Sequence, residues 1–199
     1  MLLPTLTFLL IFQIVPQSLG YLSEENKWRL LTLIFLVTFA VPNVSLLTLV
    51  ILNRGTIADL AMKNRQDRFF PFVFTSIFYS VSTYFFYQYF SLFPIIGAIM
   101  FSITLTIICV TIITFYWQVS AHSAGIAGVF AFLIVLTLKT QEVELVFPII
   151  LACIAVGVLS SARLYLNAHS LNQVLVGIGL GFFLNFSVLW ASYTWWIQE

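Results

Sequence analysis

The 199-residue chain reads as an all-α protein, an integral membrane helix bundle of six to seven transmembrane helices. Charged residues make up only 8% of it against 61% apolar ones, where a soluble domain carries about 25% charge to face water. Its mean hydropathy is +1.07, so lipid must be its main solvent. The apolar residues come in continuous runs close to the ~20 that cross a hydrocarbon core, not in the alternating ten-residue segments of a barrel. In lipid such a run satisfies its own backbone only as a helix.

Residues 1–20 form the first apolar segment, a short span or a re-entrant helix. No basic residue precedes it, which makes it a poor signal peptide. The polar stretch Ser23–Arg29 follows, then a span over residues 30–52. Pro42 should kink that span, because proline removes a helical hydrogen bond. Residues 53–68 are the longest polar stretch and hold Arg54, Asp59, Lys63, Arg65, Asp67 and Arg68. Residues 69–117 carry no charge, too long for one span and right for two, with the break near Ser91–Pro94. Further spans are expected over residues 123–138, 145–160 and about 174–196. Tyr116, Trp117, Tyr193, Trp195 and Trp196 fall near span ends, where aromatic rings favour the interface. Cys109 and Cys153 lie inside apolar runs and read as small packing residues. The small-residue runs Ser123–Gly128 and Gly177–Gly181 suit close helix packing.

The net charge of +1 excludes the broad basic field of a nucleic-acid binder. The charges present are not scattered. Two spans separate Lys63–Arg68 from His122, and two more separate His122 from Arg163 and His169. An even number of crossings returns the chain to the same side, so these residues share one membrane face. The chain has only two histidines, and both are there. Basic residues at span ends often serve as anchors or topology signals. Arg163 fits that role least, with no other charge within 18 residues on either side. It needs an anionic partner, for which Asp67, Asp59 or a bound phosphate would serve. Arginine forks suit phosphate oxygens, and a histidine can act as nucleophile or general acid. Two histidines without neighbouring carboxylates or thiolates do not complete a metal shell, so no metal and no cofactor are expected.

Three segments carry a resemblance. The first is Lys63-Asn64-Arg65-Gln66-Asp67-Arg68-Phe69-Phe70-Pro71, the second Val119-Ser120-Ala121-His122, and the third Ser161-Ala162-Arg163, five residues, His169, three residues and Gln173. In order and spacing they resemble the signature motifs K-x6-R-P, P-S-G-H and S-R-x5-H-x3-D of the type 2 phosphatidic acid phosphatase superfamily, over roughly residues 63–181. The resemblance implies residues 1–62 as N-terminal hydrophobic segments with a polar loop, and residues 63–199 as a phosphatase-like transmembrane core. It implies that His169 attacks phosphorus and forms a phosphohistidine while His122 protonates the leaving oxygen. Arg163, Lys63 and either Arg65 or Arg68 would hold the phosphoryl oxygens, with a hydrogen bond from Ser120. The substrate class implied is a lipid phosphate or isoprenyl diphosphate, and the setting a multi-pass protein of a bacterial inner (plasma) membrane.

The chain departs from the motifs. Phe70 stands where arginine precedes proline, Val119 and Ala121 replace proline and glycine, and Ala162 is inserted between serine and arginine. Gln173 stands where the family has an aspartate that orients the nucleophilic histidine. Its carbonyl can accept the histidine N–H but supplies no charge. Ser170–Gln173 also fits a capping box, S-x-x-Q, before an apolar helix. A catalytically inactive relative that binds phospholipid or a membrane partner is therefore the alternative, and a small transporter component stands behind it.

Overall fold

Backbone groups in long apolar runs are best satisfied by coiling, and the computed structural model is built of helices, with no strand among the described residues. It describes residues 3–14, 24–40, 43, 65–89 and 94–194. The helices are α1 (Leu3–Ile14), α2 (Glu24–Phe35), α3 (Arg65–Tyr89), α4 (Pro94–Tyr116), α5 (Ala121–Thr140), α6 (Val146–Tyr165) and α7 (Leu171–Ser192). A π turn (Leu36–Ala40) extends α2, and a 3-10 turn (Val143–Leu145) leads into α6.

Among the described residues four segments are long and apolar enough to cross a membrane: Ile95–Tyr116, Ala121–Thr140, Val143–Tyr165 and Leu171–Ser192. Their outer faces expose large apolar side chains, Phe101, Phe115, Ile150, Ile154, Val158 and Phe183 among them. So much exposed apolar surface suits lipid rather than water. The helix α3 is 25 residues long, but its Ser, Thr, Tyr and Gln content keeps it out of that apolar class. The 12 residues of α1 rise about 18 Å, short of the ~30 Å hydrocarbon thickness. Pro42 lies outside the described residues. Just before it the helix widens into the π turn, and the Thr38 carbonyl there accepts the buried Tyr79 hydroxyl at 3.1 Å.

The expected break between two spans falls where α3 gives way to α4. The two helices run antiparallel and are joined by hydroxyls. Ser76 Oγ lies 2.9 Å from Thr111 Oγ1, Thr83 Oγ1 lies 2.7 Å from Thr104 Oγ1, and Thr104 donates to the Tyr79 carbonyl at 3.1 Å. Lipid offers no hydrophobic drive between helices, so such hydrogen bonds help to hold the pair. Their register carries the first turn of α3 to the level of the start of α5.

The tightest seam is between the parallel helices α5 and α7. A methyl on Gly177 would lie 2.7 Å from the Ser120 carbonyl oxygen, and one on Gly181 would lie 2.0 Å from the Ala124 carbonyl oxygen. One turn on, a methyl on Gly128 would meet Asn185 Nδ2 at 2.7 Å. Small residues every fourth position thus let the two backbones touch, as the small-residue runs predict. Asn185 is buried in this seam and donates to Thr106 Oγ1 of α4 at 2.9 Å and to the Gly181 carbonyl at 2.8 Å. It ties a third helix to the pair. Around these helices the core packs Phe8, Ile34, Phe86, Ile96, Met100 and Leu133.

Two expectations about single residues are refined. Tyr193 is not an interface ring: only 7% exposed, it belongs to the core. Tyr116 and Trp117 are exposed at the end of α4, as the aromatic belt predicts, while Trp195 and Trp196 lie outside the described residues. Cys109 is half-buried and Cys153 exposed, and both are free thiols.

Candidate functional site

The site is assembled from one turn and two helix starts. The helix α6 ends in a Schellman motif: the Asn167 N–H bonds the Leu164 carbonyl at 3.0 Å, and the Ala168 N–H bonds the Arg163 carbonyl at 3.1 Å. Asn167 takes the left-handed conformation this needs, with φ of 49°. Asparagine tolerates it better than most residues. The reversal sends the chain straight into Ser170, the N-cap of α7. Arg163 and His169 are thereby held at the two ends of one tight turn.

Gln173 then binds the turn to its neighbours with both of its carbonyls. Its side-chain Oε1 lies 3.0 Å from His169 Nδ1 and accepts the Ser170 N–H at 3.1 Å. Its backbone oxygen accepts the Ser120 N–H at 3.2 Å. The Gln173 side-chain half of the capping box and the histidine contact are therefore carried by one atom. The Ser170 N–H can only donate, so it fixes which end of the Gln173 amide faces the turn. His169 Nδ1 faces the same acceptor, so it must carry the hydrogen. The ring lone pair then resides on Nε2. His169 is only 7% exposed, which holds this arrangement away from bulk solvent.

The bond from Ser120 to Gln173 brings the second motif segment against the third. Ser120 is fully buried and caps α5: its Oγ lies 2.8 Å from Ser123 Oγ and accepts the Ser123 N–H at 3.4 Å. Its hydroxyl oxygen thus serves the helix start; the phosphate hydrogen bond that the resemblance implies would fall to its hydrogen. His122 is exposed two residues further on. It lines a cavity of about 330 Å³ together with Phe72 and Thr75 of α3. That sets the early turns of α3 across the cavity from the start of α5. Arg65 and Arg68 lie in the first turns of α3, but their side chains, like that of Asp67, lie outside the described residues, as do Lys63 and Asp59 altogether.

The electrostatics of this corner favour an anion. The starts of α5 and α7 meet here, and each brings the partial positive charge of a helix N-terminus. Arg163 is half-buried, and its Nε is buried with no hydrogen-bond partner among the described residues. The Ser160 hydroxyl one turn earlier is in the same condition. A buried donor without a partner costs about 1–3 kcal/mol, so a ligand that supplied the acceptor would recover that energy. Sequence reasoning missed Asn185. Its signal was a lone amide in an otherwise apolar span, where polar groups are costly and carry a purpose.

Compared with family models, with curated proteins and with solved structures, the chain matches none of them.

Proposed function

We propose that this chain is an integral membrane phosphatase that removes phosphate from a lipid phosphate or isoprenyl diphosphate. The observation that carries the reading is Gln173, which holds His169 by its side chain and Ser120 by its backbone. One residue thus unites the two segments that resemble the second and third phosphatase motifs. The resemblance gives Lys63 and either Arg65 or Arg68 the remaining phosphoryl contacts. Residues 63–199 form the catalytic core in this reading, and residues 1–62 add membrane segments to give six to seven spans. The setting is a bacterial plasma membrane.

In the first step the Nε2 lone pair of His169 attacks phosphorus, and the bond to the lipid oxygen breaks. His122 gives that oxygen its proton, so the lipid leaves as an alcohol or, from a diphosphate, as the monophosphate. Water then attacks the phosphohistidine, His122 takes a proton from it, and inorganic phosphate departs. Arg163 and the α3 basic groups balance charge on the phosphoryl oxygens throughout, which is most of what phosphoryl transfer asks of a protein. Ser120 serves by fixing the start of α5.

The neutral Gln173 amide favours the second reading, a relative that binds the phosphate group and releases none. It orients His169 but does not stabilise its positive form as a carboxylate would. The deciding experiment is phosphate release by purified protein in detergent, over a panel of lipid mono- and diphosphates, with and without a chelator. Release that persists with chelator and vanishes in His169→Ala is the expected result. Release unchanged in His169→Ala removes the nucleophile assigned here. No release from wild type but release from Gln173→Asp establishes the binding-only reading.

A further inference from the structure

The cavity beside His122 has a wall of unusual chemistry. It is lined by hydroxyl and amide residues as well as aliphatic ones, yet the donors of Thr75, Ser102, Thr106 and Asn185 are already engaged. Thr75 donates to the Pro71 carbonyl at 2.7 Å, Ser102 to Ile99 at 2.9 Å, and Thr106 to Ser102 at 2.9 Å. The Asn185 amide nitrogen is committed to Thr106 and Gly181. With these donors engaged, the wall is mainly apolar, with Ile103, Ile107, Val129 and Phe132 prominent in it. An ordered water needs two to four polar partners, and with these donors spent the wall offers it mainly scattered acceptors.

We infer that this cavity is a slot for the aliphatic chain of the substrate, taking about ten chain carbons with the phosphate held at the His122 end. This rests on the phosphatase reading for the head group, while the slot itself is read from the cavity. Its size supports the length: about 330 Å³ holds about eleven groups of the ~30 Å³ that a water occupies in the liquid, and a methylene is of similar size. Its direction supports the orientation. His122 opens α5, and Phe132, ten residues on, lies about 15 Å further along the same helix axis. Leu189 of α7 joins Phe132 at that far end. His122 therefore belongs both to the slot and to the segment hydrogen-bonded to Gln173, so a phosphate at the site has its chain beside the opening. A chain held inside the bundle is selected by length, which a chain lying in free lipid is not.

The test uses the full-length protein in detergent and a decyl phosphonate tipped with a diazirine, which cannot be hydrolysed. Photolysis should label Phe132 or Leu189, and excess decyl phosphate should abolish the label. Val129→Phe, and independently Ile103→Phe, should reduce labelling at least tenfold while the thermal transition is retained. Label confined to lipid-facing residues such as Phe183 or Val158, or label that decyl phosphate does not compete, overturns the slot. Phosphate release from butyl phosphate is measured beside it and reports on the head-group chemistry alone. Competed label at Phe132 with no release from butyl phosphate or from decyl phosphate upholds the slot and rejects the phosphatase. Release with label only on the lipid face does the reverse.

Discussion

Replacing Gly181 by alanine tests the α5–α7 seam on which the site depends. The new methyl would sit 2.0 Å from the Ala124 carbonyl oxygen, a backbone atom with no rotamer by which to withdraw. An ordinary contact needs well over 3 Å, so α7 must move away from α5 by more than about 1 Å. Overpacking of this kind costs about 1–3 kcal/mol. An unyielding neighbour puts this site near the upper end. Alanine recovers about 0.5–1 kcal/mol of helix preference over glycine, which leaves a net loss of about 2 kcal/mol. For a chain of this size that lowers Tm by about 4–8 °C. Gly179, two residues earlier on the same helix, is the control, because a methyl there meets nothing within 4 Å. Gly179→Ala should raise Tm by about 1–4 °C on preference alone. The assay is thermal unfolding of both variants in one detergent, followed by circular dichroism. The same displacement should pull the Gln173 carbonyl away from the Ser120 N–H, so phosphate release should fall in Gly181→Ala and not in Gly179→Ala. If both variants gain stability equally, the backbones do not touch and the seam described here is wrong.

Gln173→Glu keeps the length of the side chain and both of its hydrogen bonds, and adds the charge that the amide lacks; phosphate release should rise about tenfold or more. Gln173→Leu removes the acceptor and should lower release by about 100-fold or more, the lower end of what a positioned proton-transfer group contributes. Equal activity in wild type, Gln173→Glu and Gln173→Leu would detach Gln173 from His169. Arg163→Lys keeps the charge but not the fork, and should cut turnover at least tenfold; a rate within twofold of wild type would show that Arg163 makes no bidentate contact. At the far end of the bundle, Lys139 Nζ stands 4.0 Å from the Trp190 ring centroid and 3.2 Å from Thr194 Oγ1. Lys139→Met should lower Tm by about 1–4 °C, the worth of an exposed cation–π contact, and leave phosphate release unchanged. A Tm equal to wild type would show that this contact adds nothing.

Composition alone settled the solvent and the element type for this protein. With so few charges the surface must face lipid, and lipid permits only self-satisfied backbone, so the apolar runs had to be helices. The start of α7 was legible because Ser170 opens a capping box, and the small-residue runs announced a close seam. The sequence also pointed to Gln173 as both cap and partner of His169, since a spacing of four places two residues on one face. It did not reveal that the other carbonyl of Gln173 would reach Ser120, because that contact depends on which helices neighbour one another and in what register. Parity could place His122 and His169 on one membrane face, but only the parallel packing of α5 on α7 brought their segments together. The Ser120 hydroxyl oxygen caps the helix start, a local role that neither motif spacing nor parity reveals. Asn185 and the mainly apolar cavity arise from three or more helices meeting. Hydropathy counts how apolar a span is, whereas the direction each polar group faces is decided by the partner that tertiary packing sets before it.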